Sequence, residues 1–175
     1  MCMRMRVVVC AGEITREKAP FQPTCSELVL KIKGDLHFVA TDDGGSLEFF
    51  AENLKRYDAP KITQEDIVLA SIDENYMREL LQRIVDHFNI EYVDNLGGGG
   101  HFDVVMWILY QYTLFRNGII KEYKPSNLIW RESKKFRELC YSLRVVSVSD
   151  EEREEVLKQI YGDEEKEEGE KRTES

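Results

Sequence analysis

The run FDVVMWILYQYTLFR, Phe102 to Arg116, is the most apolar stretch of the chain, and four consecutive glycines, Gly97, Gly98, Gly99 and Gly100, stand just before it with His101 between. It is too long for an ordinary strand and too short to cross a bilayer, which takes ~20 apolar residues, and Asp103 and Gln111 interrupt it. Asn117-Gly118 supplies a stop signal. The run therefore predicts a helix buried on most of its sides, and such a helix needs layers of structure around it.

The rest of the sequence supplies those layers. Arg6–Cys10 reads as a buried β-branched strand and 12–23, with mixed charges and two prolines, as a loop. Residues 28–33 and 36–41 alternate with the period of strands, and Gly34-Asp35 reads as the turn of an antiparallel hairpin. Leu47, Phe50, Ala51, Leu54 and Tyr57 follow helical spacing, with Ser46 as the N-cap. Ile67–Ile72 reads as a further strand. Asp73 caps a helix whose Met77, Leu80, Leu81, Ile84 and Phe88 share one face, and Ile90–Val93 is a short strand leading into the glycines. After the apolar helix, Ile129, Ser133, Phe136, Cys140 and Leu143 mark another helical face and 144–148 a strand. Ser149-Asp-Glu-Glu152 opens a last helix with Val156, Leu157, Ile160 and Tyr161 inward, stopping at Gly162. The expected fold is a single α/β domain over residues 1–162, with a mixed sheet, an antiparallel hairpin at 28–41 and helices on its faces. Residues 163–175 read as a disordered acidic tail, since they hold no apolar side chain to bury.

Charge matters mainly through its distribution. The formal net charge is −9, but residues 150–175 hold 12 acids against 5 bases, so the rest of the chain is near neutral. Within it, residues 1–115 carry 18 acids and 11 bases, whereas 116–144 carry 3 acids and 8 bases. The four cysteines show no C-x-x-C spacing, which suits reduced thiols, and the first apolar run is too short for an export signal. These features predict a cytoplasmic protein without a membrane partner.

Strand, glycine turn and helix in that order bring free backbone N–H groups and the positive end of a helix dipole to one point, an arrangement suited to anions. Gly97–Gly100 are thus candidates to cradle a phosphate, with His101 and Asp103 beside them as acid, base or ligands of a divalent cation. Asp42, Asp43 and Asp94 also stand where strands end, as candidate metal ligands or bases. Capping of helices is the simpler role for Asp42, Asp43 and Asp73. His37 reads as a satisfied strand residue and His87 as a polar helix-face residue. In the basic segment, Lys134, Lys135 and Arg137 interleave with Trp130, Phe136 and Tyr141, a mixture that suits single-stranded nucleic acid. No G-x-S-x-G, H-E-x-x-H or paired Cys/His zinc pattern occurs.

The pentapeptide GGGGH at 97–101 resembles the glycine-histidine signature in the second domain of DHH-type phosphoesterases, and the resemblance implies phosphate or nucleic-acid contact near the histidine. It spans five residues, the chain continues with FDVVMW in place of small residues, and the Asp-His-His motif that holds that family's metals is absent. FVATDDGGSLEFF looks like the acidic strand end of some nuclease domains. Two functions follow as expectations. The first is binding or processing of a phosphate-bearing ligand, a nucleotide or nucleic acid, at the glycine-rich strand-loop-helix. The second is a non-catalytic adaptor that docks a protein partner through residues 116–144 and its acidic tail.

Overall fold

The computed structural model describes residues 5–10, 13–18, 27–96, 101–123 and 134–160. The glycines at 97–100 and the tail at 163–175 lie outside the described residues. Strands β1 (Met5–Cys10), β2 (Glu13–Lys18), β3 (Glu27–Ile32) and β4 (Asp35–Val39) come first, followed by helices α1 (Gly44–Leu54), α2 (Gln64–Ile72) and α3 (Glu74–His87). Then come β5 (Glu91–Leu96), α4 (Phe102–Arg116), α5 (Lys134–Tyr141) and β6 (Val146–Ser147). A further helix, α6, spans 150–160.

The strands form one mixed sheet in the order β2-β1-β4-β3-β5-β6, antiparallel except where β6 lies parallel to β5. A parallel neighbour needs a crossover, and α4 and α5 occupy it. One sheet face presents Leu28, Leu30, Ile32 and Val39 to the main core, shared with α1, α3, α4 and α5. The other presents Val29, Leu36, Phe38 and Val93 to Val156 and Ile160 of α6. The apolar helix is the centre of the larger layer, with eleven of its residues, from Asp103 to Leu114, buried.

Both long helices end in the same way. Beyond α3, Asn89 takes φ +48°, with Ile90 N–H on the Val85 carbonyl and Asn89 N–H on the Asp86 carbonyl. Beyond α4, Gly118 takes φ +72°, with the equivalent bonds from Ile119 to Leu114 and Gly118 to Phe115. The left-handed residue satisfies carbonyls that the helix leaves open. The Asn117 side chain then binds the Pro60 carbonyl and the Ile62 N–H, fastening the segment after α1 to the end of α4.

Four local expectations need correction. Residues 13–18 are a strand rather than part of a loop: β2 pairs along its whole length with β1 at the sheet edge, where alternating charged side chains are the rule. The hairpin turn is Lys33-Gly34, both at positive φ (49° and 84°), rather than Gly34-Asp35. The N-cap of α1 is Asp43, whose Oδ1 accepts from Gly45 N–H, while Ser46 is turned inward to accept from Ala40 N–H. Ile67–Ile72 is helical, because Thr63 and Asp66 close a reciprocal capping box that starts α2 one turn earlier.

A buried polar cluster joins the hairpin to α1. The Tyr57 hydroxyl donates to Asp35 Oδ2 at 2.7 Å, so its oxygen accepts from His37 Nε2 at 2.9 Å, which fixes the proton on that nitrogen. Arg56 pairs with Asp35 at 3.5 Å and lies over the Tyr57 ring. Burial first, and the Arg56 charge second, lower the pKa of His37 to about 4 against the opposing pull of Asp35. The fold therefore holds His37 neutral, whereas the unfolded chain takes up the proton near 6.5. The stability this contributes is complete above that value and is lost as the pH falls from 6.5 to about 4, below which both states are protonated. Urea denaturation of wild type and His37→Gln across this window is expected to show wild type losing up to roughly 3 kcal/mol more than the variant, about 1.36 kcal/mol for each pH unit that separates the two protonation points. Parallel pH profiles for the two proteins would contradict the assignment.

Candidate functional site

The turn that leaves β4 reaches the start of α4. Thr41 is fully buried and its Oγ1 accepts from the His101 backbone N–H at 3.1 Å, so the residue before α4 is clamped to the end of the sheet. Asp43 N–H on the Ala40 carbonyl and Ala40 N–H on Ser46 Oγ lock the same turn from within. His101 occupies the N-cap position of α4 without making a side-chain capping bond, and its ring is exposed.

Asp103, in the first turn of α4, is 2% exposed, and its Oδ1 has no hydrogen-bond partner among the described residues. Burial pushes its carboxyl above the usual range. The charges of His101 and Arg137 and the backbone N–H groups of Asp103 and Val104 pull the other way and are outweighed. Arg137, Cys140 and Tyr141 share one face of α5 at i, i+3 and i+4 spacing, and the Asp103 charge acts on both the thiol and the phenol. Burial raises the Cys140 thiol and, less strongly, the Tyr141 phenol. Phe136 anchors the contact edge-on against Trp107 at 5.3 Å, so α5 lies across the first turns of α4.

Of the residues singled out from sequence, His101, Asp103 and Arg137 are thus brought together. The others stand elsewhere. Asp43 caps α1, and Asp42 is exposed in the turn before it. Asp94 binds Arg153 of α6 at 3.1 Å and pairs in register with Val29, on the sheet face that α4 does not cover. Lys135 bridges to Glu74 at 3.3 Å and Lys134 lies 3.8 Å from Glu138, both at the far end of α5 from Tyr141. Among the described residues, no three His, Cys, Asp or Glu side chains gather closely enough to hold a metal ion. Sequence reasoning found no place for Tyr141 beside Asp103. Its signal was the i+4 spacing from Arg137 on a helix whose buried face is marked by Phe136 and Cys140.

At the opposite end of α4, a cleft of about 620 Å³ is lined by Asp58, Lys61, His87, Arg116 and Asn117. Most of its polar groups are engaged: His87 Nε2 donates to the Asp58 carbonyl, Arg116 pairs with Asp58 at 3.7 Å and Asn117 binds the backbone on both sides. It is a joint between the ends of α3 and α4. No helix among the described residues is long and apolar enough to cross a membrane. No family model, no curated protein and no solved structure matches the chain.

The Asp103 environment has a direct consequence for stability. Its folded-state pKa lies above the ordinary 3.8, so the fold holds the proton more tightly than the unfolded chain, and stability falls as pH rises through that interval. Asp103→Asn, which keeps the shape without the charge, is expected to melt at a higher temperature than wild type near pH 7. The gain should vanish as pH falls toward 3.8, where both states of the wild type are protonated. A variant less stable than wild type at neutral pH would show that the carboxylate is well paired in the fold.

Proposed function

We propose that the protein binds a phosphate-bearing ligand, a nucleotide or a segment of single-stranded nucleic acid, where the chain enters α4. The observation that carries this reading is the meeting of Arg137 and His101 around the buried Asp103 carboxyl, whose Oδ1 lacks a partner among the described residues. Arg137 supplies a permanent charge for a phosphate oxygen and His101 a second donor from the N-cap. Asp103, held toward its neutral form by burial, donates a hydrogen bond to an anionic oxygen, or a proton to a leaving group where the ligand is turned over. Gly97–Gly100 would add backbone N–H groups, a role that rests on their sequence position between β5 and α4.

The adaptor reading has its own support, namely the exposure of Lys134, Lys135 and Tyr141 on one short helix. The two readings part on anion binding. Calorimetric titration with inorganic phosphate, adenosine monophosphate and a short single-stranded oligonucleotide at ~50 mM salt, where charge-driven association is strong, is expected to show binding. Arg137→Ala should weaken it by on the order of tenfold or more, the worth of one charge-assisted hydrogen bond, and Lys134→Ala should leave it nearly unchanged. Gly98→Ala and Gly99→Ala should cost affinity beyond any cost in urea stability. Wild type that binds none of the three probes would remove the phosphate reading and leave the adaptor.

A further inference from the structure

Helix α2 has no buried residue, although Ile67, Val68, Leu69, Ala70 and Ile72 make up most of its nine. A helix apolar on nearly all sides is ordinarily enclosed. One side of α2 is secured: Ile67 and Ala70 rest partly against the main core, and Asp66 accepts from the Tyr76 hydroxyl and lies near Arg83. The outward side is bare, with Val68 61% and Ile72 77% exposed.

Glu65, Val68 and Ile72 stand at i, i+3 and i+7 and so form one stripe. Its N-terminal end carries the exposed Glu65. Beyond its C-terminal end lie the exposed lysines of α5, because Lys135 bridges to Glu74, the first residue of α3. The carboxylates at that end are occupied, Asp73 by the Asn75 N–H and Glu74 by Lys135. The stripe therefore reads acid, Val68, Ile72, base, a sequence that is its own complement when a second copy is laid antiparallel. Antiparallel α2 helices also oppose their dipoles favourably, and a two-fold contact closes without leaving a free surface.

We propose that α2 is the face through which two copies of this chain pair, across a two-fold axis between Val68 and Ile72, with Glu65 of each copy against Lys134 and Lys135 of its partner. The inference is independent of ligand binding at α4. Sedimentation equilibrium of the full chain up to about 0.5 mM, where even a small interface associates, is expected to show a monomer–dimer equilibrium. Val68→Glu with Ile72→Glu should give a monomer whose thermal melt matches that of the wild-type monomer, since both positions are exposed. Lys134→Glu/Lys135→Glu and Gln64→Lys/Glu65→Lys should each weaken self-association, and an equimolar mixture of the two should restore it, because each reversed end then meets its opposite. A chain that stays monomeric at every concentration overturns the proposal in favour of a different protein as the occupant. A dimer untouched by the Val68/Ile72 change, or a mixture that fails to recover, overturns it as well.

Discussion

Enclosure of α4 is the constraint from which the rest of the architecture follows. Val104, Val105, Ile108, Leu109 and Tyr112 are all buried and point in every direction around the helix, so no single sheet face can cover them. α1 and α3 flank the helix on the sheet side and α5 closes over its outer surface. The crossover from β5 to the parallel β6 brings α4 and α5 together on this face of the sheet. Burying so many groups also fixes the helix ends, since a terminus inside a layer leaves backbone groups without water. The Gly118 turn answers this at one end and the Thr41 clamp on His101 at the other. The candidate site inherits its rigidity from that clamp.

The same layer contains polar groups that each need a partner. Tyr112 reaches the Tyr57 carbonyl, Tyr57 joins Asp35 to His37, and Thr113 bonds back to the Leu109 carbonyl. Each bond contributes little by itself, whereas the loss of one partner leaves a buried group unsatisfied, which costs more. A chain of this kind ties α1, α4 and the β3–β4 hairpin to one relative position. Asp103 is the exception within the same layer, buried with one oxygen unmatched among the described residues. That contrast sets it apart from the other buried polar residues.

Much of this was legible in the sequence where a pattern is local. The alternation in 28–41, the length and apolarity of 102–116, the Asp73 cap and the Ser149–Glu152 box all report interactions within a few residues, and each element forms. What was not legible depends on partners far along the chain. β2 is a strand because β1 offers it an edge, and its charged sequence carries little strand signal of its own. α2 resembles a strand by composition, and only the capping box at Thr63 argues otherwise. His37 looked ordinary because Tyr57 and Asp35 come to it from other elements. Within the site, the His101–Asp103 pair was visible from its spacing, but Arg137 joins it only through the packing of Phe136 on Trp107.

The placement of Asp103 also bears on the kind of ligand the start of α4 can accept. A carboxylate in the first turn of a helix is ordinarily favoured by the dipole and by free N–H groups, and those influences act on Asp103. Burial exceeds them, so in this fold the neutral acid is the cheaper state. An ionised Asp103 would compete with an incoming phosphate for the same N–H groups and for Arg137. A neutral Asp103 does neither and offers a donor of its own. Anion binding at this point is therefore coupled to proton occupancy of Asp103, since each anion brought close raises the cost of ionising the acid further. A divalent cation would make the opposite demand, drawing the proton off and needing further carboxylates beside it. Asp43 is committed to capping α1 and Asp94 to Arg153 across the sheet. The electrostatics of the first turn of α4 thus favour a protonated acid facing an anion over a carboxylate facing a metal.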